Sequence, residues 1–91
     1  MTILEFADEI NKELVVRYYP NQDCRVSAHF DHCEVKDGTR LVGEFGESDN
    51  PEEALNDYAY NIQGKALVFN ARSTCQRQEF TVPKLLKLLG E

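Results

Sequence analysis

The stretch from Gly46 to Ala71, GESDNPEEALNDYAYNIQGKALVFNA, restricts the possible folds of this chain more than any other. Asn50 is a good N-cap, because its side-chain oxygen can take an orphan amide of the first helical turn. Pro51 follows at the first helical position, where a missing N–H costs nothing. Glu53 stands three residues after the cap, where a carboxylate can reach back as in a capping box and meets the positive helix end. Leu55, Tyr58, Ala59 and Ile62 then recur at i, i+3, i+4 and i+7, which is one buried helix face. Gly64 supplies a left-handed stop. Lys65–Ala71 follows as a strand that is apolar on both faces.

The remaining chain reads as elements built around this unit. Thr2 and Glu5 have capping-box spacing, and Ile3, Phe6, Ala7, Ile10 and Leu14 share one helical face. This first helix is expected to end near Val16, before Tyr18-Tyr19-Pro20-Asn21 enters a turn. From Cys24 the period changes to two: Cys24, Val26, Ala28 and Phe30 alternate with Arg25, Ser27, His29 and Asp31. The phase slips at Asp31-His32, where a β-bulge is expected before Cys33 and Val35 resume the apolar positions. Asp37-Gly38 marks a tight hairpin turn. Arg40 to Phe45 returns as the second strand, with Leu41, Gly43 and Phe45 on one side and Val42 and Glu44 on the other. After the central helix and its strand, Arg77–Val82 forms a fourth strand closed by Pro83. Lys84–Leu89 is a short amphipathic tail of one or two turns.

The expected fold is therefore a single α+β domain over residues 1–91, in two layers and in the order α-β-β-α-β-β. Hairpins make a mainly antiparallel four-stranded sheet, with two helices on one face. The hydrophobic content of 42% argues for a packed core and against disorder. No apolar run approaches the roughly 20 residues that span a bilayer, and no basic-then-apolar segment opens the chain, so a cytoplasmic protein without membrane contact is expected. Formal net charge is −6, opposite to the balance of a phosphate-backbone binder. Direct nucleic-acid binding is not expected.

Chemistry-bearing residues are few. Cys24, Cys33 and Cys75 are an odd, widely spaced set with no Cys-x-x-Cys pair, which suits free thiols in a reducing compartment. His29, His32 and Cys33 are residue types that zinc prefers. On one continuous strand the two histidines would face opposite ways unless the bulge realigned them. Cys24 and Cys33 fall in core phase, where cysteine acts as a small hydrophobe, while Cys75 lies in a turn without a visible base. The acidic residues Glu44, Glu47, Asp49, Glu52 and Glu53 lack calcium-loop spacing and read as charge gathered at a helix N-terminus. Neither a catalytic residue, a metal ligand set nor a cofactor cradle is expected, and the protein is read as non-catalytic.

Contact surfaces are better represented. Tyr60 lies opposite the Leu55/Tyr58/Ile62 stripe, and Tyr18 and Tyr19 sit in a linker. Tyrosine is enriched at interfaces because it joins apolar area to a polar tip. Val42, Ala66 and Val68 would form an apolar strip on the sheet face away from the helices, unless Leu85, Leu86, Leu88 and Leu89 fold over it. An uncovered strip would call for an unidentified protein partner or a homodimer.

In Asn50–Ala59, Gly64–Ala71 and Glu79–Leu86, together with the Glu34–Gly38 hairpin, the chain resembles small uncharacterised proteins encoded by temperate phages and prophages of lactic acid bacteria and their relatives. That resemblance implies a phage setting and carries no catalytic residues. The Pro51-Glu52-Glu53-Ala54 opening is similar to that of HicB-type antitoxins, whose small sheet-and-helix fold begins with strands where this chain begins with a helix. A protein-interaction or accessory role follows from these readings. The alternatives are an antitoxin-like regulator and a nucleic-acid mimic that blocks a host protein, although the carboxylates read as spread over several elements.

Overall fold

Thr2 starts the first helix with both halves of a capping box, in a computed structural model that describes residues 1–21 and 25–90. The Thr2 hydroxyl accepts the Glu5 amide at 3.2 Å, and the Glu5 carboxylate accepts the Thr2 amide at 2.9 Å. That backbone hydrogen bond holds the Glu5 carboxyl below its ordinary value. The helix, α1 (Ile3–Ile10), stops well short of Val16. Asn11 takes a left-handed φ of 55°, and its amide turns back to the carbonyls of Ala7 and Asp8. The following residues form strand β1 (Leu14–Tyr18). Val15 and Val16 are β-branched and stiff at χ1, which suits a pleated strand better than a helix. The spacing from Ile10 to Leu14 fitted a helical face without belonging to one.

Strand β2 (Val26–Phe30) pairs antiparallel with β1, from Tyr18 opposite Val26 to Leu14 opposite Phe30. The expected bulge at Asp31-His32 is instead a turn in which His32 adopts φ 52°. A bulge would keep both halves on one ladder; a left-handed residue re-aims the chain. Strand β3 (Cys33–Asp37) consequently enters a different sheet, where it pairs with β4 (Arg40–Val42) across the Gly38 turn. The return strand is shorter than expected. Gly46–Ser48 forms β5 and pairs with β2.

Helix α2 (Pro51–Ile62) is capped as expected, with the Asn50 Oδ1 accepting the Glu53 amide at 2.9 Å. The Glu53 carboxylate accepts the Ser48 hydroxyl at 2.9 Å in place of a reach-back to the cap. Ala54, Tyr58, Ala59 and Ile62 are buried, and Leu55 is half-buried. Gly64 carries φ 74° beyond the helix end, and β6 (Ala66–Phe69) and β7 (Gln78–Thr81) complete the order.

The fold is α+β, and all strand pairs within the sheets are antiparallel. The expected four-stranded sheet of two hairpins is present in the order β4-β3-β6-β7. A three-stranded sheet, β1-β2-β5, joins it. Helix α2 lies along β2 and β5, with α1 against α2. Both sheets feed one core, in which Phe30, Val35, Leu67 and Phe69 meet Ile3, Phe6, Tyr58 and Ile62. Lys12 ties the end of α1 to the four-stranded sheet. Its Nζ donates to Gln78 Oε1 at 2.5 Å and sits 5.1 Å from the Phe69 ring centroid, a cation–π distance.

The C-terminal segment is a strap and not a helical turn. Thr2 and Lys87 form an isolated parallel bridge, and the Lys87 amide donates to Met1 at 2.8 Å. Asn56 holds Leu89 by both backbone groups, at 2.7 and 3.3 Å. Leu86 and Leu89 pack against the core.

Gly46 sets the seat of α2. A Cβ there would run into the backbone carbonyl of Ala54 and the backbone amide of Tyr58, neither of which can swing aside. Gly46→Ala should therefore cost about 2 kcal/mol or more in denaturant unfolding, or prevent folding. A change within about 0.5 kcal/mol, the range of an ordinary surface substitution, would contradict the close approach.

Candidate functional site

Two regions carry the residues of interest. The first is the edge made by β5 and α2. Residues 41–64 contain six carboxylates (Glu44, Glu47, Asp49, Glu52, Glu53 and Asp57) and no Lys, Arg or His. Removing these six from the 16 acidic residues leaves ten, which match the ten Lys and Arg elsewhere. The whole formal charge of −6 therefore belongs to one segment; the fold puts Glu47 on β5, Glu52, Glu53 and Asp57 on the helix packed on it, and Glu44 and Asp49 in the connections either side of β5. Two of these carboxylates bond to β5: Asp57 Oδ2 accepts the Glu47 amide at 2.9 Å, and Glu53 accepts Ser48. Among the described residues none of the six forms an ion pair.

Tyr60 stands on the solvent side of α2 and is 71% exposed, as its position opposite the stripe implied. Phe45 is a second exposed aromatic, and its carbonyl accepts from Asn61 Nδ2 at 3.2 Å. The sequence hides this, because its alternation puts Phe45 in a strand on the same side as Leu41. Tyr18 is exposed at the end of the edge strand β1, and Tyr19 is half-buried; neither lies on α2 with Tyr60.

The apolar strip of Val42, Ala66 and Val68 does not form. Val42 pairs with Val35, which pairs with Leu67, so register places Val42 on the inner face. Val68 pairs with Glu34 and Glu79 on the outer face, yet is completely buried. The Lys36 Nζ–Glu79 Oε1 pair, 2.7 Å apart, spans the same face. Its partners stand on β3 and β7, either side of β6, so the two stems cross over the middle strand. Long charged side chains cover apolar surface in this way while keeping their heads in water. Of the terminal leucines, Leu86 and Leu89 pack against the core instead, and Leu85 and Leu88 remain exposed.

The second region is a depression of about 470 Å³ that opens to solvent. His29, His32 and Cys33 line one side, and Asn70, Arg72 and Ser73 line the other. The left-handed turn at His32 brings both histidines to it, which a continuous strand would not. His29 Nδ1 lies 2.9 Å from the Phe30 carbonyl, and His32 Nε2 lies 3.6 Å from Asp31 Oδ2. Among the described residues no three His, Cys, Asp or Glu side chains are placed to hold a metal ion. Cys24 lies outside the described residues. Arg72 and Ser73 lie in the connection between β6 and β7, and nothing in their spacing in the sequence marks a site.

Cys33 is a poor nucleophile. Burial pushes its thiol from an ordinary 9.0 up to about 12, partly opposed by hydrogen bonding to Tyr58 and reinforced by the Glu34 carboxylate. Burial likewise pushes the Tyr58 phenol up, against a lowering hydrogen bond from the Phe30 amide. Cys75, by contrast, is exposed.

Iodoacetamide at neutral pH should therefore alkylate Cys75 on the order of 100-fold faster than Cys33 in the folded protein. Equal rates would contradict the burial of Cys33. The raised folded pKa means the thiol's contribution to stability is whole below pH 9.0 and declines as pH rises toward 12, because the unfolded chain loses the proton first. Cys33→Ala should flatten that decline. No protein family, curated protein or solved structure compared with this chain matches it.

Proposed function

We propose that this is a small acidic contact protein of phage or prophage origin, acting in the cytoplasm without catalysis, whose β5–α2 edge docks on a basic protein surface. The observation that carries this reading is the gathering of the entire net charge on one edge that also exposes Tyr60. Carboxylates without cationic partners set up a field that attracts and orients a positively charged partner. An exposed tyrosine supplies the apolar anchor that charge alone does not. The high thiol pKa of Cys33 supports a non-catalytic role, because the thiol stays neutral near pH 7. The setting in a phage rests on the resemblance of Asn50–Ala59, Gly64–Ala71 and Glu79–Leu86. No described helix is long and apolar enough to cross a membrane.

A second reading is favoured by the same edge. Carboxylates collected on β5, α2 and the connections beside β5 can occupy the basic surface on which a host protein or a toxin holds nucleic acid. This covers both the nucleic-acid mimic and the antitoxin-like regulator. Direct nucleic-acid binding by the edge is disfavoured, since it repels phosphate.

Affinity capture from phage-infected cells tests the proposal with wild type and three variants. Wild type and Glu9→Lys, on the exposed side of α1, should retain one set of basic partners. Tyr60→Ala and the double reversal Asp49→Lys/Glu52→Lys should lose it, as should wild type in about 0.5 M salt, where the screening length falls to a few ångströms. A partner set unchanged by both variants would overturn the docking edge. If the captured partner binds nucleic acid and this protein displaces it, the second reading holds.

A further inference from the structure

We propose that the depression between the Asp31–His32 turn and the Asn70–Ser73 turn binds a phosphate group, with Arg72 and Ser73 as donors and His29 as acceptor. This site is independent of the β5–α2 edge.

Three side chains define the chemistry. Arg72 is exposed on the rim and forms no ion pair among the described residues, so its planar fork of N–H donors is available to paired oxygens. The Ser73 Oγ accepts the amides of Gln76 at 2.9 Å and Cys75 at 3.3 Å. Both of its lone pairs are thus engaged, and its own hydrogen is left to donate. A carbonyl can only accept, so the 2.9 Å contact of His29 Nδ1 with the Phe30 carbonyl places the ring proton on Nδ1. That bond fixes the ring, and in its neutral form Nε2 is then the acceptor, suited to a phosphate oxygen that still carries its proton. Two donors and one acceptor match a singly protonated phosphate and do not match a bare carboxylate.

The nearby carboxylates oppose this only weakly. Asp31 is engaged with His32 at 3.6 Å. Glu34 also lines the depression, but it alternates with Cys33 along β3 and shares the outer face with Val68, so its carboxylate leaves the strand away from Arg72 and Ser73 and weakens the site only through the field it sets at Cys33. The buried Phe30 and the neutral thiol of Cys33 supply an apolar floor, against which a charge-assisted hydrogen bond is stronger than in water. The volume falls within the range of roughly 300–1,000 Å³ common to small-molecule sites and exceeds what a lone phosphate fills.

Backbone amide NMR of the full chain tests this, with inorganic phosphate, glucose 6-phosphate and acetate added against chloride at equal ionic strength. Saturable shifts of Arg72, Ser73 and His29 are expected with the two phosphates, and at least tenfold weaker binding with acetate. Arg72→Gln should weaken phosphate binding about tenfold or more, while Arg17→Gln on β1 leaves it unchanged. Tighter binding of glucose 6-phosphate than of inorganic phosphate assigns the ligand to a phosphorylated small molecule, and equal binding assigns it to the free ion; either upholds the site. Shifts that never saturate, or identical titrations for wild type and Arg72→Gln, would overturn it.

Discussion

Phe30 is where the layers of this protein are joined. Its ring makes edge-on contacts with Phe6 of α1, Tyr58 of α2 and Phe69 of the four-stranded sheet, at centroid distances of 6.2, 5.9 and 5.5 Å. Such pairs contribute about 0.5–1.5 kcal/mol each beyond the area they bury. Its backbone amide donates to the Tyr58 hydroxyl at 3.1 Å inside the core. Phe30 is also the last residue of β2 before the left-handed turn that sends the chain into the second sheet. One side chain and one amide thus fix the helices relative to both sheets. Burial of the Tyr58 hydroxyl without a partner would be costly, so the bond also determines which way α2 faces.

The division of labour follows from this hub. Apolar side chains of α1, α2 and the inner sheet faces are spent on the core, and the outer sheet face is covered by the Lys36–Glu79 stems. What remains outward on α2 is polar, acidic and aromatic. The charge segregation is compatible with folding because the acidic residues lie at the start of α2, where the helix dipole favours them, and along β5, where Asp57 and Glu53 accept hydrogen bonds from the strand. Repulsion among the edge carboxylates is thereby partly offset within the fold, and the outward charge stays available to a partner.

Much of the fold was legible in particular residues. Thr2/Glu5, Asn50-Pro51 and Gly64 act through local backbone geometry, and the structure keeps all three signals. Asp37-Gly38 likewise gives its hairpin. The structure departs from the sequence pattern where long-range pairing decides the outcome. Leu14–Val16 continued a helical spacing, but Asn11 ends the helix and β2 recruits the segment. The phase slip at Asp31-His32 was visible, yet period alone cannot distinguish a bulge from a turn between sheets. Val42 faces inward and not outward because the hairpin pairs Leu41 with Lys36, which reverses the alternation expected from the sequence. At the site level, Tyr60 followed from helical phase, whereas Arg72, Ser73 and Phe45 depend on neighbours distant in sequence. The acidic edge was countable from the absence of basic residues between 41 and 64.

Tyr58→Phe tests the hub most directly, because it keeps the ring and removes the hydroxyl that accepts the Phe30 amide and hydrogen-bonds to Cys33. Unfolding by denaturant, with hydrogen exchange at the Phe30 amide, should show a loss of about 1–3 kcal/mol, the cost of an unsatisfied buried donor, and faster exchange at that amide. Stability within about 0.5 kcal/mol of wild type together with an equally protected Phe30 amide would contradict the account.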